Sequence, residues 1–291
     1  MGSHPLLSIV TPTRGNFSDM WYDALLHIQG EVEFLVIYPP QVAPRHFADR
    51  RVRVLTGGRR GEVSQRLLGL QQARGSYVLA LDDDDYAHPE IAALTENYFA
   101  RFPESWVLRP LIQDIAFDNA DALRQPWMPL PDILTLPVIM PQAVPHSQEY
   151  CIPLPIAPLE TRFRWRHLFV PWSARRDMSG VHFENFNNRV WKNARVQPAL
   201  AALATSLERR PPRFTLDRLL GLYVQAYYFQ RGSYIGHWLR GSYQIRRTYR
   251  PTALKERRNY FWADSLLARH FPQYGYLWNL FFWSFYRSIG F

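Results

Sequence analysis

The sequence predicts an α/β domain followed by a mainly helical, basic and aromatic carboxyl-terminal extension. Three observations carry that expectation. Short apolar runs alternate with amphipathic segments, the breaks between them fall where carboxyl ends of parallel strands would lie, and charge and aromatic content change near residue 212. The chain has 291 residues, of which 47% are apolar, enough for a sizeable core and too many for a disordered chain.

Leu6 to Val10 is an apolar run closed by Thr11-Pro12-Thr13-Arg14-Gly15, the pattern of a buried strand ending in a turn. Trp21, Leu25 and Ile28 share one face of a helix predicted over Phe17 to Ile28. Phe34 to Tyr38 repeats the strand pattern and stops at Pro39-Pro40, and Val52 to Leu55 is a third strand ended by Gly57-Gly58. Val63, Leu67, Leu70 and Ala73 mark a second helix with Gly75 as its cap. Tyr77 to Leu81 is a fourth strand, ended by Asp82 to Asp85. Ligands on such sheets sit beyond the carboxyl ends of the strands, so Thr11, Tyr38 and Asp82 mark the first places to seek chemistry.

Nine prolines between Pro126 and Pro158 forbid long helices there and predict extended segments and loops over the sheet, read as a lid or acceptor region. Beyond Thr215, Leu216, Leu219, Leu220, Tyr223, Tyr227, Tyr234 and Trp238 follow helical spacing, with Arg218, Arg231 and Arg240 interleaved. An amphipathic helical tail broken near Pro251 and Pro272 is expected. The division is therefore 1–212, split into halves 1–110 and 111–212, and an extension 213–291.

The net charge of +9 resides entirely in that extension. Residues 1–212 hold 22 basic and 22 acidic side chains, whereas 213–291 hold 12 and 3, with half of all aromatics. Basic and aromatic residues interleaved on helices suit the interface of an anionic membrane. The same composition serves nucleic-acid binding, for which no recognised module is present, or packing on the body or on a second subunit in an oligomer. Phe271 to Tyr286 is too short and too interrupted to span a bilayer. A single cysteine, Cys151, excludes an internal disulfide framework and a cysteine-built zinc site. No charged leader followed by an apolar core opens the chain, so a cytoplasmic protein, peripheral on the cytosolic face of the membrane, is expected.

Asp82-Asp83-Asp84-Asp85 crowds four carboxylates after an apolar strand, which calls for a neutralising cation. Oxygen-only ligands suit Mg2+ or Mn2+, ions that complete their shells with substrate phosphates, so a diphosphate substrate is implied. Seen in isolation, four aspartates also read as a solvated turn.

Leu7-Ser8-Ile9-Val10-Thr11-Pro12-Thr13-Arg14, the stretch Gly61 to Asp85, and Pro89 together resemble the amino half of family 2 glycosyltransferases of the GT-A fold. The resemblance covers residues 6 to about 100, and Arg66 through Asp85 is its most specific part. It implies inverting transfer of a sugar from a nucleoside diphosphate donor to a glycan or lipid-linked acceptor hydroxyl. By matching position, Asp84 would ligate the metal, and Asp82 would face the ribose or the metal's outer shell. Asp83 fills the variable slot on the nucleotide-sugar side. Thr11, Pro12 and Arg14 would line the nucleotide, and Arg66 would approach the phosphates or order the aspartates.

Two departures accompany the resemblance. Where the family carries an acidic residue after the second strand, this chain has Tyr38-Pro39-Pro40, so base recognition rests on Tyr38 stacking or on Thr11 and Arg14. The segment matching the family's catalytic carboxylate pair is Gly180 to Arg189, with Asn185 at the base position. An amide accepts no proton from the incoming hydroxyl, which makes Glu184, then Asp177, then His182 the candidate base. The departures also motivate a rival: a catalytically silent scaffold of the same fold. Lysine occurs only at Lys192 and Lys255, so phosphate contacts fall to arginines, with Arg175, Arg176, Arg189 and Arg195 as acceptor-side candidates.

Overall fold

In the computed structural model, residues 4–143, 146, 148–169, 185–209, 215–249 and 260–289 are described. They divide between two compact units, one of Met1–Leu154, Asn187–Pro211 and Tyr234–Thr252, the other of Pro155–Phe186, Pro212–Ser233 and Ala253–Phe291.

The first unit is α/β, as expected. Its strands are β1 (Leu7–Pro12), β2 (Val32–Tyr38), β3 (Val52–Thr56), β4 (Tyr77–Ala80), β5 (Asp85–Ala87), β6 (Val107–Arg109), β7 (Ile112–Ala116), β8 (Tyr150–Pro155), β9 (Val190–Lys192), β10 (Tyr234–Arg240) and β11 (Ile245–Tyr249). Its helices are α1 (Asp19–Leu26), α2 (Glu62–Gln72), α3 (Ile91–Arg101), α4 (Ala120–Arg124) and α5 (Asn193–Arg209). Eight strands form one sheet in the order β3-β2-β1-β4-β9-β6-β10-β8, and β5-β11-β7 form a second. The run β3-β2-β1-β4 is parallel throughout, and β9 enters antiparallel to both neighbours. β1 and β2 are buried along their full length, which explains their mostly apolar runs, and the buried interruptions Ser8 and Glu33 satisfy each other, Ser8 Oγ donating to the Glu33 carboxylate at 2.6 Å.

Among the described residues, two helices have side-chain caps at their amino ends, α1 from Ser18 and α4 from Asn119. Ser18 caps α1, its Oγ accepting from the Trp21 N–H at 3.1 Å. α2 lies close on the sheet because Gly69 faces Val10 and Ile37, where a Cβ would meet side-chain carbons at 2.5 and 2.6 Å. The proline-rich stretch contains no long helix among its described residues; Ile133 and Leu136 are buried in the core, and β8 lies within it.

The tail differs from its helical expectation in part. Tyr234 and Trp238 lie on β10, a strand hydrogen-bonded parallel to β6, and β11 follows it into the smaller sheet. Residues four apart share a face in a helix and in a strand alike, so the spacing of these aromatics fits both periods.

The second unit is helical. It contains the 3-10 turn Trp165–Leu168 and helices α6 (Leu216–Tyr227), α7 (Phe261–His270) and α8 (Gly275–Ser288). α6 packs on α7, α7 on α8, and α8 on the 3-10 turn. Leu216, Leu219, Leu220 and Tyr223 form the buried face that the helical spacing predicts. Asp264 is fully buried and takes both fork nitrogens of Arg218, Nε at 3.1 Å and Nη2 at 3.0 Å, while Ser284 Oγ donates to it as well.

Candidate functional site

Parallel strands β1, β2 and β3 end side by side at Pro12, Tyr38 and Thr56, and the aspartates follow β4 at the same edge. Gln65 on α2 ties two of these ends together, its Nε2 donating to the carbonyls of Thr13 at 2.8 Å and Ile37 at 2.6 Å. The Leu81 N–H continues the β1 pairing to Val10 O at 3.1 Å, so the aspartate turn starts from a fixed point. The turn closes on itself through Asp85 N–H to Asp82 O at 3.1 Å.

Each carboxylate then meets a different neighbour. Asp82 is half exposed and accepts from Nη2 of the fully buried Arg66 at 2.5 Å; the same nitrogen lies 3.2 Å from Glu62, one helical turn earlier. Asp83 accepts from the Thr13 hydroxyl at 2.6 Å and from the Arg14 backbone N–H. Asp85 is buried and accepts from Asn188 Nδ2 at 3.0 Å, while its carbonyl takes the Trp21 indole N–H at 3.0 Å. The register of the small sheet sets Arg247 opposite both Asp85 and Asp114, and Arg247 forks onto Asp114 at 2.8 and 3.1 Å.

Burial is the main force on the acidities. It pushes the Asp83 carboxyl up against the opposing hydrogen bonds from Thr13 and Arg14, with the Asp82 charge adding to the rise. Asp84 is raised by burial and then by the charges of Asp82 and Asp83. Asp85 lies well above the usual carboxylate range, through burial first and the Asp82 charge second. Among the described residues no salt bridge reaches Asp83 or Asp84.

Of the residues singled out in the sequence, Thr11, Pro12, Arg14, Arg66 and Asp82 to Asp84 gather at this strand edge. Arg66 orders the aspartates rather than reaching outward. Thr11 is buried, and among the described residues its hydroxyl has no hydrogen-bond partner. Tyr38 corrects the stacking expectation: it is 1% exposed, its ring lies edge-on to Phe17, and its hydroxyl accepts from the Arg45 N–H at 3.1 Å. A ring enclosed in this way offers no face to a nucleotide base. Glu184, Asp177 and His182 lie outside the described residues, as do Arg175 and Arg176. Arg189 Nη1 donates to the Asn188 carbonyl, and Arg195 stacks over Trp106 at 5.1 Å.

Three positions were missed. Thr13, Gln65 and Asn188 brace the site, and Asn188 does so from a left-handed backbone (φ 57°) while its N–H bonds Ala80 O at 2.9 Å. Thr13 and Gln65 adjoin the motif residues Arg14 and Arg66; Asn188 had only its place in an amide-rich segment as a signal.

The donor set fits a hard divalent ion. It is oxygen-only, and Asp84 has an acidity weakened by burial and by neighbouring negative charge, both of which a cation would relieve. Among the described residues no three His, Cys, Asp or Glu side chains form a metal cage. An ion that fills its shell with diphosphate oxygens needs only one or two carboxylates.

The family described as Glycosyl transferase family 2 matches residues 39–121, which run from the end of β2 through the aspartates and beyond β7. No curated protein matches the chain. Among solved structures, S. aureus TarS 1-349 in complex with UDP-GlcNAc is 15% identical with a TM-score of 0.48, over 91% of this chain and 66% of that one. S. aureus TarS is 14% identical with a TM-score of 0.48, over 91% of this chain, which spans only 39% of that protein.

Proposed function

We propose, from the premise that this chain is a family 2 glycosyltransferase by residues 39–121, that it moves a sugar with inversion from a nucleoside diphosphate sugar to an acceptor hydroxyl. The donor is a UDP-sugar first of all, bound by the 1–110 half in a GT-A-type arrangement. The acceptor is a lipid-linked or cell-envelope glycan held against the 111–212 half. The observation that carries this reading is the turn Asp82 to Asp85 at the strand edge, braced by buried Arg66 and by Thr13.

Asp84, with Asp82 beside it, would hold Mg2+ or Mn2+. When bound, that ion supplies positive charge against the charge growing on the departing diphosphate. Arg66 keeps the Asp82 carboxylate in place, and Thr13 fixes Asp83. Thr11 and Arg14 are proposed from sequence to line the nucleotide; Arg14 is exposed at the strand edge, whereas the Thr11 hydroxyl is buried. As the acceptor oxygen bonds the anomeric carbon and the bond to diphosphate breaks, the acceptor proton passes to a carboxylate or imidazole, for which Glu184, Asp177 and His182 are proposed from sequence. The extension 213–291 is proposed to rest on the cytosolic membrane face; no described helix is long and apolar enough to cross a bilayer. The scaffold reading draws on Asn185 at the base position and on buried Tyr38.

A thermal-shift screen tests the donor assignment. With Mn2+ present, one nucleoside diphosphate sugar is expected to raise the melting temperature and then to be consumed when acceptors are added. Binding without turnover across an acceptor panel would favour the scaffold, and no binding at all would defeat both readings.

The acidities give a second expectation. Native Asp83, Asp84 and Asp85 hold their protons more tightly than the unfolded chain, whose carboxylates titrate near 3.8. Their contribution to stability is present in full below that value and is lost as pH rises through the raised native values. Mg2+ or Mn2+ is therefore expected to raise the melting temperature at neutral pH and to lose that effect as pH falls toward 4. A cation effect independent of pH would argue against binding at these carboxylates.

A further inference from the structure

The second unit carries an apolar surface that no part of the proposed chemistry uses. Helix α8 is apolar on two sides. One side, with Tyr276, Leu277 and Leu280, is buried. On another, Trp278, Phe281, Phe282 and Phe285 recur at i, i+3, i+4 and i+7 and remain partly open to solvent. Their rings touch in sequence, Trp278 to Phe281 at 5.9 Å and Phe281 to Phe282 at 5.2 Å.

A segment more than a hundred residues earlier extends this stripe. Asn279, buried in α8, accepts from the Arg164 N–H at 3.3 Å and donates to Arg162 O at 3.2 Å, pinning residues 162–164 along the helix. Gly275 allows the close approach, since a Cβ there would stand 2.2 Å from Phe163 N. Phe163 is thereby set against Phe282 at 5.4 Å and Trp165 at 5.3 Å. Trp165 is 71% exposed and Phe169 is 80% exposed, a costly display for rings of that size. Arg162, Arg164 and Arg166 alternate with these rings and are exposed. α8 contains no acidic residue, and Asp264 on the neighbouring helix is buried against Arg218.

We propose that Arg162–Phe169 and the Trp278–Phe285 stripe form one composite surface that docks on an anionic lipid bilayer. The occupant follows from complementarity: arginines placed among aromatic rings match lipid phosphates lying above acyl chains. The proposal rests on the peripheral-membrane reading and deepens it by naming a contact outside the extension 213–291. Rigid pinning by Asn279 makes the two segments insert together.

Co-sedimentation of the full chain with phosphatidylcholine vesicles, with and without phosphatidylglycerol, tests it. The wild type is expected to partition onto the anionic vesicles, weakening as salt rises, with far less on the neutral ones. The double substitution Trp165→Ser and Phe169→Ser alters exposed residues, so folding is retained and is checked by an unchanged melting temperature. It is expected to weaken partition by about tenfold or more. If the wild type binds and the double variant binds equally, the composite surface is wrong while the tail reading survives. If the wild type binds neither vesicle, both fall. Equal binding to the two compositions would overturn the role given to the arginines.

Discussion

Asp84→Ala lowers turnover by about 10²–10³-fold in the expected result, with the loss seen in kcat as well as in donor affinity. The acidity of this residue is weakened: burial, then the charges of Asp82 and Asp83, push its carboxyl up against an opposing hydrogen bond from Thr248, and among the described residues no salt bridge reaches it. A nearby cation would favour the ionised form of such a group, so its removal is expected to weaken the proposed metal site rather than the fold. The melting temperature without metal is accordingly expected to hold or rise, whereas the stabilisation by Mn2+ disappears. Transfer rates measured for wild type and variant across a Mn2+ titration decide the matter. Equal rates would remove Asp84 from the metal site, and a large fall in melting temperature would assign it a structural role instead.

Asp264→Ala has the largest expected effect on stability, about 3–5 kcal/mol. The carboxylate is fully buried and bears both nitrogens of the Arg218 fork together with the Ser284 hydroxyl. Alanine removes that partner from a guanidinium that is itself only 13% exposed, while the stacking of Arg218 over Tyr260 at 4.5 Å remains. Urea unfolding should show the lowered midpoint, and Asp264→Asn, which keeps the shape and part of the hydrogen bonding, should fall between the two. A change below about 1 kcal/mol would mean that the pair is as weak as one on the surface.

The parts of the fold that were legible in sequence are those whose burial leaves a single period. β1, β2 and β4 are enclosed strands, parallel to one another, and read as largely apolar runs closed by Pro or Asp. β10 was not legible, because its aromatics Tyr234 and Trp238 are four apart and its hydrogen-bonding partner β6 lies far back in the chain. The site divides in the same way. Arg66 and Asp82 are joined across one helix and one strand, a spacing that sequence preserves. The Thr13–Asp83 bond spans 70 positions and depends on β1 and β4 lying side by side, and the enclosure of Tyr38 depends on Phe17 and Arg45, two residues with no pattern linking them to it.

The first unit gathers its strands from three separate stretches, with β10 and β11 supplied last. During synthesis, β6 must therefore wait for a neighbour that emerges from the ribosome more than a hundred residues later, and the nascent sheet has a bare edge until then. Chains released early, anywhere before residue 234, would keep that edge and be prone to self-association. Closure of the large sheet thus depends on a strand far downstream of the edge it covers.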